Sequence, residues 1–131
     1  MEEDDEFDYA KHEKQVAEEV NEFIMCEYQF IDLEGKRLKS VLFLDECNLD
    51  KESIISLNIK SNMLQQITPV SMFKNLEILN IADNNLTSLD SFPYIEFLTH
   101  LDISQNKLTS IESLKHSMSK LKCLKMDNNR I

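Results

Sequence analysis

Residues 76–111 read Leu76-x-x-Leu79-x-Ile81-x-x-Asn84-x-Leu86-x-x-Leu89 and then, 22 positions on, Leu98-x-x-Leu101-x-Ile103-x-x-Asn106-x-Leu108-x-x-Ile111. Apolar residues and one asparagine recurring at fixed offsets mark an internal repeat, and that repeat governs how the rest of the chain is read. The template extends backward through Ile54, Leu57, Ile59, Asn62, Leu64 and Ile67, and forward through Leu121, Leu124, Met126, Asn129 and Ile131. Its asparagines, Asn62, Asn84, Asn106 and Asn129, step by 22, 22 and 23 residues.

The Leu-x-Leu alternation reads as a short strand with one buried face, and the every-third-residue apolar spacing after it suits a tight helical or 3₁₀ return. One such unit cannot bury its apolar side alone, so successive units must stack into a solenoid. An asparagine buried where each strand ends must bond backbone groups of adjacent repeats, because an unpaired buried amide costs about 1–3 kcal/mol. The four asparagines are therefore read as a structural ladder rather than a site.

On these residues the chain resembles the leucine-rich-repeat family, whose unit of roughly 20–29 residues carries L-x-x-L-x-L-x-x-N/C-x-L. The resemblance covers residues 54–131 well and 28–53 loosely. It implies an α/β right-handed solenoid with parallel strands on the concave face and short helical or 3₁₀ returns on the convex face. The 22-residue length resembles the cytosolic class typified by the regulatory subunit of protein phosphatase 1.

The net charge of −10 is uneven: residues 1–27 hold eleven acidic and two basic side chains, residues 28–131 thirteen and twelve. The first eight residues read as a disordered acidic head, solvated or attractive to basic proteins. No basic stripe exists to neutralise phosphates, so direct nucleic-acid binding is not expected. No apolar run is long enough to span a membrane, and the acidic start is unlike a signal peptide. Three cysteines, Cys26, Cys47 and Cys123, form no C-x-x-C pair, which fits reduced thiols in an intracellular protein, cytoplasmic or nuclear.

Residues 9–53 read as an N-terminal cap. Tyr9, Val16, Val20, Phe23 and Ile24 form a helical stripe, with Ala17 beside it, in a capping helix running from Tyr9 to Glu27. Tyr28–Leu33 and Val41–Asp45 look like strands around a turn at Glu34-Gly35-Lys36. They form either a hairpin or a worn repeat with Cys47 in an asparagine place, and the spacing favours one shortened, degenerate repeat. From 54 the regular array continues, with Phe73, Leu76, Phe92, Ile95, Leu98, Leu114, Met118 and Leu121 as core on the returns and Pro69 and Pro93 outside any ladder. The array breaks off mid-repeat at Ile131, leaving an end that further repeats or another chain would cover.

No phosphate-binding glycine loop is possible with one glycine, and His12, His100 and His116 lack metal-ligand spacing with the cysteines. Asp83, Asn85 and Asp90 lack the glycine and glutamate of a calcium loop. No catalytic residues, metal or cofactor are assigned. The outward strand positions form columns across the concave face: Ser56, Ile78, His100 and Cys123, then Asn58, Asn80, Asp102 and Lys125. Lys60, Ala82, Ser104 and Asp127 follow, and after them Ser61, Asp83, Gln105 and Asn128.

The expected partner-binding set is Ser56, Asn58, Lys60, Ile78, Asn80, Asp83, His100, Asp102, Ser104, Gln105 and Lys125. The function expected is a non-enzymatic protein-interaction module, an adaptor, scaffold or targeting segment that holds a partner polypeptide. The alternatives are an acidic histone- or basic-protein-binding protein and the recognition or regulatory domain of a larger enzyme or signalling protein.

Overall fold

The computed structural model describes residues 6–24, 29–117 and 119–131. The helix α1 (Tyr9–Ile24) is followed by strands β1 (Phe30–Asp32), β2 (Ser56–Asn58), β3 (Ile78–Asn80), β4 (His100–Asp102) and β5 (Cys123–Lys125). These pair in sequence order as one five-stranded sheet, every pair parallel. Parallel neighbours demand a crossover between them, and three of the four crossovers carry a 3₁₀ turn: Leu42–Glu46, Thr68–Met72 and Glu112–Ser117. Pro69 stands in the first turn of the second, where its missing N–H breaks no bond.

Ile31, Leu57, Leu79, Leu101 and Leu124 occupy equivalent strand centres, so one inward side chain from each repeat stacks on the next. Ile59, Ile81, Ile103, Leu64, Leu86 and Leu108 are fully buried beside them. The returns complete the core: Val70, Phe73, Leu76, Ile95, Leu98 and Leu114 are buried, while Phe92 and Leu121 pack against its edge. Burying each of these side chains is worth about 1.5–3 kcal/mol, which no isolated repeat could gather.

Residues 29–53 differ from expectation in three ways. Val41–Asp45 is not a strand: the backbone winds into the 3₁₀ turn, with Leu44 N–H bonded to Val41 O at 3.1 Å and Cys47 N–H to Leu44 O at 3.2 Å. The deciding spacing is Val41, Leu44, Cys47, one inward residue in three, which outweighs the β-forming residues between them. There is no hairpin, because β1 runs parallel to β2. Nor is the repeat short: Ile31 aligns with Leu57, a span of 26 residues against 22 between Leu57 and Leu79. In that register Lys36 takes the asparagine place and Cys47 the place of Phe73.

Helix α1 lies across this first repeat. Val16 and Val20 are buried in the common core, and Asn21 Oδ1 accepts the Asn48 N–H at 3.0 Å. At its start Tyr9 bonds Met63 Sδ at 3.7 Å, Phe7 packs edge-on to Tyr9 at 4.6 Å, and His12 Nε2–H donates to the Lys36 carbonyl. The Arg37 guanidinium sits 4.9 Å from the Phe7 ring centre and the Lys39 ammonium 4.1 Å from that of Tyr9. Several expectations lie outside the described residues: residues 1–5 of the head, the helix end at Met25–Glu27, Cys26, Tyr28, Met118, and the side chains of Phe23, Ile24 and His116.

Candidate functional site

The asparagine ladder sets the rims of the site. Asn84 Oδ1 accepts the Leu64 N–H of the preceding repeat at 3.0 Å. Its Nδ2 donates back to Ile59 O and within its own turn to Ile81 O and Ala82 O, at 3.0–3.1 Å. Asn106 repeats the pattern on Leu86 and Ile81, and Asn129 on Leu108 and Ile103. Asn62 captures two N–H groups, those of Lys36 and Leu38, at 3.0 Å each. The residue before each of these asparagines turns left-handed: Ser61, Asp83, Gln105 and Asn128 have φ of 53–58°, and Gly35 at the equivalent place has φ 65°.

Parallel pairing continues beyond the three-residue strands to those turns. Gly35 bonds Lys60 O, Ser61 bonds Ala82 O, Asp83 bonds Ser104 O and Gln105 bonds Asp127 O, all at 2.8–3.0 Å. The sheet face is thereby four columns wide, and the sequence-derived columns follow its register, although Ala82, expected to face outward, is buried. Phe30, Ser56, Ile78, His100 and Cys123 are paired along one column; Asp32, Asn58, Asn80, Asp102 and Lys125 along the next. Phe30 and Asp32 extend both columns by a repeat that the degenerate spacing had concealed.

The second column has a duty that spacing alone did not reveal. Asp32, Asn58, Asn80 and Asp102 each fold their Oδ1 back onto the N–H two residues on, at 3.0–3.1 Å. These Asx turns end each strand, which is why a short acid or amide is required there. The same side chains remain on the face: Asn58 Nδ2 donates to Asp32 and Glu34, and Ser61 Oγ to Asp83 at 2.8 Å. His100 Nδ1 lies 2.9 Å from Thr99 Oγ1.

Exposure singles out two apolar side chains on this face, Phe30 at 55% and Ile78 at 45%. Burial pushes the Cys47 thiol above its ordinary pKa, with Glu46 adding to the shift and Lys51 opposing it. Among the described residues no three His, Cys, Asp or Glu side chains converge as metal ligands would, and no helix is long and apolar enough to cross a membrane. A shallow hollow lined by Asn75, Glu77, Phe97, Thr99 and Lys120 opens on the flank of the sheet.

The repeat signature is matched independently: the family model described as Leucine Rich Repeat matches residues 75–95 and 97–117. The fold is a leucine-rich-repeat solenoid. Internalin C2 from Listeria monocytogenes has a similar structure, with a TM-score of 0.65 and 28% identity, over 75% of this chain and 41% of that one. Internalin inlF from the same bacterium aligns with a TM-score of 0.47 and 21% identity, over 71% of this chain and 32% of that one. The chain thus spans less than half of either internalin. No curated protein sequence matches it.

Proposed function

We propose that the chain is a non-catalytic protein-interaction module that holds a partner polypeptide on the concave face of its sheet, as an adaptor, scaffold or targeting segment inside the cell. The observation that carries this reading is the sheet face itself. Its columns are in strict register and present Ile78, 45% exposed, amid hydrogen-bonding side chains. A rigid array offers these groups without an ordering cost at binding. The 22-residue spacing with 3₁₀ returns supports grouping it with the cytosolic class typified by the phosphatase regulatory subunit.

The test is affinity capture from lysate with residues 1–131, run beside a variant with Asn80, Asp83 and Asp102 changed to alanine and a return-side control, Lys74→Ala. Partners retained by the control and lost from the triple variant are expected. Partners that remain on the triple variant would remove the concave face as the site.

A further inference from the structure

The solenoid is close to neutral as a whole, yet its concave face is not. The four outward columns carry the carboxylates Asp32, Glu34, Asp83, Asp102 and Asp127 against the ammonium groups of Lys60 and Lys125 alone. Five further cations are engaged elsewhere. Arg37 and Lys39 lie on the Phe7 and Tyr9 rings, Lys120 on Phe97, and Lys36 and Lys51 in ion pairs with Glu19 and Asp45. Among the described residues those are the ion pairs, so no concave carboxylate has a countercharge within bonding distance.

The carboxylates are held by neutral donors: Asp32 by the Glu34 N–H and Asn58, Asp83 by Ser61, Asp102 by the Ser104 N–H. Their orientation is fixed by these neutral donors, and the one lysine paired beside them across strands is Lys125, next to Asp102. Beside this acidic band runs the column bearing Phe30 and Ile78, which stand two strands apart, roughly 10 Å at ordinary strand spacing. Apolar column and acidic column are two residues apart along each strand, about 7 Å.

We propose that the concave face takes a basic segment of a partner protein, one that sets a large apolar side chain against Phe30 and Ile78 and lays lysine or arginine along Asp32, Asp83 and Asp102. The proposal rests on the concave-face reading above and adds the partner's chemistry. Apolar burial supplies affinity, and the carboxylates select against neutral and acidic chains and speed encounter. None of the residues named belongs to the acidic head.

The experiment pans a displayed random-peptide library against the full chain and measures one enriched synthetic peptide by fluorescence anisotropy at low and moderate salt. Enriched peptides are expected to be cationic with at least one large apolar residue, and to weaken as salt rises. Asp32→Asn, Asp83→Asn and Asp102→Asn combined should weaken binding by about tenfold or more, since amides keep the hydrogen bonds and lose the charge. Ile78→Ser should weaken it similarly, with thermal unfolding unchanged in both variants.

Changing Glu2, Glu3, Asp4 and Asp5 to their amides should leave binding intact. Binding that follows the head instead of the concave carboxylates overturns the proposal. Neutral peptides lost on Ile78→Ser would overturn the basic chemistry and keep the concave site. Peptides indifferent to every concave change, or no enrichment at all, would overturn both.

Discussion

The first repeat and those after it share one register and close their turns by different means. From the second repeat on, each turn has its own asparagine, buried at Asn62, Asn84 and Asn106 and half-buried at Asn129, and each also reaches the N–H and C=O groups of the repeat before it. The first repeat has Lys36 in that place and no strand preceding β1 in the sheet. An asparagine there would have no earlier carbonyl to bond and would leave part of a buried amide unpaired. Its turn is instead held from both sides, by Asn62 of the next repeat and by His12 of the helix. The ladder is thus a device for joining repeats, and an end of the stack needs another device.

The sharpest way to break this contrast is in the core that both regions share. Leu101→Ala should cost about 2–5 kcal/mol and Val16→Ala, under the helix, about 1–2 kcal/mol, both measured by urea unfolding. Equal losses would mean that the helix is no mere cover. Next come the turn residues: Asn84→Ala should cost about 3 kcal/mol by orphaning several buried backbone groups. Lys36→Ala, losing one exposed ion pair, should cost under about 0.5 kcal/mol. A costly Lys36→Ala would assign that side chain a structural role that its contacts do not show.

The left-handed position offers a smaller, opposite pair. Gly35→Ala meets open space at its Cβ, so only backbone strain remains, about 1 kcal/mol. Gln105→Gly at the equivalent place should gain up to about 1 kcal/mol, read as a rise in melting temperature.

Cys47 should resist iodoacetamide in the native protein near neutral pH, because its raised pKa leaves little thiolate and the thiol is buried, while Cys123 is partly exposed. Peptide-resolved mass spectrometry reads the two separately, and equal labelling would contradict the packing of the first repeat. Asp102→Asn is the smallest change expected, under about 0.5 kcal/mol, since the amide oxygen still caps the strand.

The regular half of the fold was legible because leucine and asparagine are required by burial, and burial repeats with the chain. The outward columns could be written from the same register, Ser56 to Lys125. The first repeat was hidden by chemistry that replaces the signature: lysine for asparagine, cysteine for phenylalanine, and an exposed Leu42 inside an apolar run. The Asx turns of Asn58, Asn80 and Asp102 went unread, although Asx at the last strand position is a signal the sequence does carry. The segregation of charge onto one face could not be read from totals, since it depends on Asp32 and Glu34 being aligned with a strand that the spacing disguised.

The four additional residues of the first repeat fall between two shared core positions, Cys47 and Ile54, and leave the pairing of Ile31 with Leu57 untouched. This marks where the solenoid accepts extra chain. Lengthening a return there costs only loop-closure entropy, about 0.6 kcal/mol per doubling. One residue added between Leu57 and Leu64 would instead invert the strand and expel its leucines. The equivalent return segments, 74–75 and 96–97, are therefore the places to graft a tag, a fluorophore or a second binding loop without disturbing the concave face.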